Sequence, residues 1–175
     1  MAAPGPQERL QPSLLDRLTD ADPRSSRESV EARVLTRQQL RAAVLRDLAW
    51  LFNTTRAEPA DTERSDPTAA LWRRMAHARH SVLNFGLPAM AGESAGALDF
   101  PALEAAVRQA AVDFEPRIDP TTLTVEVAAE AGMRSHNALR LTIRGQLWNQ
   151  PVPLELLLSA QVDVETGAVQ LRDMR

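Results

Sequence analysis

The chain has 175 residues, 44% hydrophobic, 25% charged and only 4% aromatic, which suffices for one domain whose core is mostly Leu, Val and Ala. A net charge of −3 does not support a nucleic-acid or anionic-membrane partner, because both require a basic field. There is no cysteine, which excludes disulfides and thiolate metal sites.

Residues 1–12 hold Pro4, Gly5, Pro6 and Pro12 and read as a flexible arm. Met1 to Gln11 has no apolar run and carries Glu8, so it is not a secretory signal. No apolar stretch approaches membrane-spanning length, and the expected location is cytoplasmic. Leu14, Leu15 and Leu18 then form a short apolar stripe at helical spacing. Residues 1–18 are therefore expected to be an arm with a docking segment, and residues 19–175 a single domain. Polar residues 19–32 read as a loop.

A strong helix is predicted from Thr36, which forms a capping box with Gln39. Leu40, Val44, Leu48 and Leu51 repeat along its inner face, widened by Leu45 and Phe52. After a polar loop from Arg56 to Pro67, a second helix is expected over roughly Thr68 to Asn84. Leu71, Met75, Ala78 and Val82 form its buried stripe, and Gly86 and Pro88 terminate it. A third helix follows Asp99 as cap, with Pro101 in its first turn and Leu103, Val107 and Ala110 facing inward.

Past Asp119-Pro120 the apolar period becomes two. Leu123, Val125 and Val127 alternate with polar residues, as do Leu139, Leu141 and Ile143, and again Val162 and Val164. Turn signals sit at Gly132, at Asn149 to Pro153 and at Glu165-Thr166-Gly167, the pattern of an antiparallel meander. Helices first and strands afterwards give an α+β domain, with N-terminal helices packed on a C-terminal antiparallel β-sheet.

Signals for chemistry are sparse. His77 and His80 lie one helical turn apart with no third ligand nearby in sequence, so a solvated helix face accounts for them and no metal is expected. There is no Gly-rich phosphate loop and no G-x-S-x-G elbow, and no cofactor is expected. The most unusual string is Phe114-Glu115-Pro116-Arg117-Ile118, between the last helix and the first strand. Pro116 fixes its own φ and biases Glu115 away from helix, so Glu115 and Arg117 are held rigidly at a junction. Such a pair is either an internal ion pair or a partner-docking pair. A catalytic Glu115, with Asp113 or Asp119 as second carboxylate, is disfavoured because Arg117 stabilises the charged form, the wrong direction for an acid. Trp148 reads as a core aromatic at a strand end or as an interface residue.

Several strings together resemble one family. They are Gln11-Pro12-Ser13-Leu14-Leu15-Asp16-Arg17-Leu18, Val44 to Thr54, Ser81 to Pro88, Glu115-Pro116-Arg117, Gly145-Gln146-Leu147-Trp148 and Asp163-Val164-Glu165-Thr166-Gly167. In this order, spanning residues 11 to 171, they are similar to the TssE-type baseplate proteins of bacterial type VI secretion systems, a phage-wedge family historically labelled lysozyme-like. The segment Trp72 to His80 departs from the pattern, being rich in arginine and histidine. The resemblance implies a non-enzymatic structural subunit that joins the wedge proteins TssF and TssG and a TssK-type baseplate protein. It further implies a role in starting polymerisation of the TssB/TssC contractile sheath. The alternative it carries is a peptidoglycan hydrolase using Glu115. Partner binding is expected at Glu115, Pro116, Arg117, Leu14, Leu15, Leu18 and Trp148, with no catalytic residue.

Overall fold

A computed structural model describes residues 12–19, 23–24, 35–59, 67–92, 98–129, 138–148 and 153–174. Helices α1 (Leu14–Leu18), α2 (Arg37–Phe52), α3 (Pro67–Arg74), α4 (Ala76–Arg79) and α5 (Phe100–Phe114) precede strands β1 (Thr124–Ala129), β2 (Ala138–Leu147), β3 (Leu154–Asp163) and β4 (Val169–Asp173). The strands form one antiparallel sheet in the order β1-β2-β3-β4, the expected meander. The arm residues 1–11, His136 and the expected turns at Gly132 and at 149–152 lie outside the described residues.

Local chemistry sets the main helices. Thr36 and Gln39 cap α2 reciprocally, at 2.8 and 3.2 Å, satisfying two backbone donors that the first turn would otherwise orphan. The Asp99 side chain accepts from the Ala102 amide, and a proline in the first turn lacks a donor the helix could not use. The helices bury Leu40, Val44, Leu48 and Leu51 from α2 and Leu103, Val107 and Ala110 from α5. Opposite them stand the inner-face residues Leu139, Leu141 and Ile143 of β2 and Leu156, Leu158 and Val162 of β3. Helix α5 lies against β1 and helix α2 against β4, so the core is a helical layer on one sheet face. On the other face Arg140, Arg144, Gln146, Gln170 and Arg172 are exposed.

The second predicted helix is corrected. It breaks into α3, α4 and a 3-10 turn at Val82–Asn84, with Met75 at φ −107° and ψ 67° between the first two. Leu71, Met75 and Val82, the expected buried stripe, are exposed. Gly86 does not terminate a helix. It has φ +128° because the backbone of residues 54–56 crosses it, with Arg56 N–H bonding Leu87 O at 2.8 Å and Leu87 N–H bonding Thr54 O at 2.8 Å. A Cβ there would stand 2.8 Å from the Arg56 nitrogen, so only glycine fits.

Both sheet edges are handled by helix side chains. Along β1, Glu104 of α5 accepts from the Val127 amide at 2.8 Å, and Arg108 donates to the Leu123 carbonyl at 3.2 Å. On β4, Asp163 N–H bonds Ala168 O and Met174 N–H bonds Leu157 O. Even-numbered residues of this strand therefore face β3, and Val169, Leu171 and Asp173 turn their N–H and C=O outward. The Asn53 side chain takes both groups of Val169, accepting from its N–H at 3.0 Å and donating to its C=O at 2.9 Å. Arg41 holds the Asp173 carboxylate. The outward groups of Leu171 have no partner among the described residues.

Candidate functional site

Glu115, Pro116, Arg117 and Ile118 form a turn at the end of α5, closed by Ile118 N–H bonding Glu115 O at 3.1 Å. Proline stands second in it, where its fixed φ is pre-set for a turn. Ile118 then bridges to Leu147, which fastens the turn to the end of β2.

Glu115 is only 2% exposed. A buried carboxylate needs a partner for its charge, and Arg117 supplies one on both oxygens. Its Nε meets Oε1 at 2.6 Å, its Nη2 meets Oε2 at 2.5 Å, and its backbone N–H adds a bond to Oε1 at 3.2 Å. The same Nη2 reaches Asp47 of α2 at 2.5 Å. From Asp47 the chain of charges continues through Arg46, whose Nε lies 2.8 Å away, to Asp16 of α1 at 2.6 Å and to the Ser13 hydroxyl at 2.6 Å. Burial opposes the charge on Arg117, but the bonds and charges of Glu115 and Asp47 outweigh it and raise its pKa above the ordinary arginine value. The network ties α1, α2 and the α5–sheet junction into one unit. The Arg117 Nη1 atom is buried without a hydrogen-bond partner among the described residues.

The network also organises the surface around it. The Arg117 carbonyl accepts from the Trp148 amide at 2.8 Å, and the Trp148 side chain is 65% exposed, so it is not a core aromatic. Arg46 lies 5.3 Å over the Trp50 ring, a cation–π contact on a second exposed tryptophan. Helix α1 is anchored by Asp16, yet Leu14 and Leu18 are 71% and 73% exposed and Leu15 is also exposed. Glu115 and Arg117 thus join the charged network, and the Arg117 carbonyl seats Trp148. The leucine stripe is attached to the network through α1. Pro116 is exposed at the turn.

Sequence reasoning missed Asp16, Arg46 and Asp47. All three lie inside the strings that carry the family resemblance, which was the available signal. Local spacing could not pair Asp47 with an arginine 70 residues away.

As a general acid, Glu115 would need an approachable carboxyl group. Its burial and its two-pronged bond to Arg117 offer the opposite. Asp113 engages His80 at 2.8 Å and Asp119 binds the Thr121 amide and hydroxyl, so each serves a local bond. The Thr121 bonds hold the Asp119 pKa below the usual carboxylate value. Among the described residues no group of three or more His, Asp or Glu is placed to hold a metal ion, and no helix is long and apolar enough to cross a membrane.

The anchoring of α1 is testable by pH. Partial burial works against the Asp16 charge, but Arg46 and Ser13 more than offset it and its pKa lies below the ordinary 3.8. A depressed carboxylate stabilises the folded arrangement above its unfolded pKa and loses that contribution as pH falls through the folded value. A five-residue helix does not persist alone. Amide exchange in α1 is therefore expected to stay protected down to about pH 4 and to be lost in more acid solution. Asp16→Asn should leave α1 unprotected already at neutral pH. Equal protection in the variant would show that the ion pair does not hold the helix.

Compared with known proteins, no curated protein and no solved structure matches the chain. A family model described as baseplate wedge protein gp25 matches residues 38–152, well over half of the chain. The matched span covers α2 from its second residue onward, α5, the Glu115–Arg117 turn and strands β1 and β2, and it contains four of the six strings that carry the resemblance: Val44 to Thr54, Ser81 to Pro88, Glu115-Pro116-Arg117 and Gly145-Gln146-Leu147-Trp148. The chain belongs to the baseplate wedge protein gp25 family.

Proposed function

We propose that the chain is the TssE-type subunit of a bacterial type VI secretion baseplate, acting in the cytoplasm as a structural part. It binds the wedge proteins TssF and TssG beside a TssK-type protein and helps start polymerisation of the TssB/TssC sheath. Support comes from membership of a baseplate wedge family and, as the observation that carries the reading, from the outer edge of β4. That edge offers the unpartnered N–H and C=O of Leu171. An open edge templates an arriving strand through main-chain bonds, with specificity supplied by alternate side chains. The network around Arg117 keeps the helical layer in register with the sheet, and the exposed Leu14, Leu18 and Trp148 are the side chains suited to the wedge partners.

The experiment is a nucleation assay. Purified TssB/TssC sheath protein is followed by light scattering with and without the full chain, in the presence of TssF and TssG. A shortened lag is expected, and an unchanged lag would sink the sheath role. Lysis of purified cell wall by the chain, abolished by Glu115→Gln, would establish hydrolysis instead.

A further inference from the structure

The segment that departs from the family pattern, Trp72 to His80, contains no buried residue. Residues 67–92 contain three arginines, two histidines and no Asp or Glu, in a chain whose net charge is −3. Arg79 is matched by Glu58 at 2.8 Å and His80 by Asp113 at 2.8 Å. Arg73, Arg74 and His77 have no hydrogen-bond or ionic partner among the described residues. The same stretch exposes Val82 at 81% and Leu83 at 69%, together with Leu71 and Met75. Cations and apolar side chains are therefore interleaved on one short, uncovered piece of chain.

Beside it lies a cleft of about 260 Å³, walled by Arg56, Glu58, Arg79, His80, Gly86 and Asp113. Its acids are already engaged, Glu58 by Arg79 and Asp113 by His80 and Gln109. Asn84 pins the wall, accepting from the Glu58 amide at 2.9 Å. Arg56 differs. Its Nε is buried with no hydrogen-bond partner, and its guanidinium meets no acceptor among the described residues. A buried, unmatched guanidinium donor is costly and is relieved by a carboxylate, which takes its planar fork in two bonds.

We propose that this face docks an acidic, apolar segment of another protein, with one carboxylate entering the cleft to meet Arg56. The apolar side chains of that segment cover Val82 and Leu83, and its remaining acids face Arg73 and Arg74. The occupant follows from charge complementarity: a basic, apolar strip selects segments of opposite charge and disfavours pairing of the strip with the same strip on a second copy. The inference rests on the assembly reading only in so far as that reading supplies a reason for a partner. The chemistry comes from the surface alone.

The test uses the full chain and three short synthetic peptides of equal length. One alternates leucine and glutamate, the second replaces every glutamate by glutamine, and the third replaces every leucine by serine. Binding is read by fluorescence anisotropy, and the contact surface by backbone amide shifts. The leucine–glutamate peptide is expected to bind and to shift residues 71–84. Each substituted peptide should bind at least about tenfold more weakly, and Arg56→Ala should weaken the first peptide about tenfold. Arg73→Glu with Arg74→Glu, at exposed positions that leave the fold alone, should weaken it likewise and reduce its salt dependence. No binding by the first peptide, equal binding by the glutamine peptide, or affinity unchanged by the Arg73→Glu, Arg74→Glu pair would overturn the proposal. None of these readouts involves sheath protein or β4, so failure here and failure of the nucleation assay are separate results.

Discussion

Arg117→Ala is expected to lower the melting temperature by about 10 °C, equivalent to roughly 3–5 kcal/mol for a domain of this size. The reason lies in what is left behind. Glu115 is 2% exposed and its side chain has Arg117 as its hydrogen-bond partner on both oxygens. Removing the guanidinium strands a buried carboxylate and also takes a partner from Asp47. Stability and assembly are separated by removing both charges together. Glu115→Met with Arg117→Met leaves no orphaned ion and keeps the volume apolar, and such swaps of buried pairs are often close to neutral. Thermal unfolding of the wild type, Glu115→Met, Arg117→Met and the double variant forms a cycle whose coupling term measures the pair. The double variant should recover most of the lost stability. If it then fails in the nucleation assay, the charges act in assembly beyond holding the fold; if it nucleates normally, their role is structural. Arg117→Ala melting within about 2 °C of the wild type would show that Glu115 does not depend on this arginine.

The helices α2 and α5 and the alternation of the strands were legible in the sequence because period and burial agree there. Leu40, Val44, Leu48 and Leu51 are one face of a helix, and that face meets a sheet. The segment from Pro67 to Asn84 shows where periodicity stops informing. Leu71, Met75 and Val82 recur as a stripe, but recurrence does not say that anything covers the stripe, and here they are exposed. The Glu115–Arg117 pair was legible because it is local and Pro116 fixes the turn that holds it. Its extension to Asp47, Arg46 and Asp16 was not, because those contacts depend on how α1 and α2 are placed in space. Asn53 illustrates the same limit. The sequence marks it as the end of a helix, whereas its amide also spans 116 residues to occupy Val169 in the edge of β4.

Leu171→Pro is expected to abolish sheath nucleation while leaving the domain folded. The position is chosen from the strand's hydrogen-bonding parity. Leu171 turns its N–H away from β3, so proline there removes no ladder bond, and an edge strand is where proline is tolerated. Proline also favours an extended preceding residue, which Gln170 already is as part of β4. What the substitution deletes is an outward donor that an arriving strand would use. Proline also shortens the half-buried Leu171 side chain, which packs on the core. Leu171→Ala therefore serves as control and should cost a similar amount, roughly 1–2 kcal/mol, yet still nucleate. Arg172→Pro gives the converse, because Arg172 faces β3 and loses a ladder bond; it should destabilise the sheet itself. The strand that pairs at Leu171 meets Asn53 at Val169 and must displace that side-chain amide to extend further. Asn53 thereby limits how far unspecific strands can pair along this edge. Normal nucleation by a folded Leu171→Pro variant would remove β4 as the template and move the sheath contact elsewhere on the molecule.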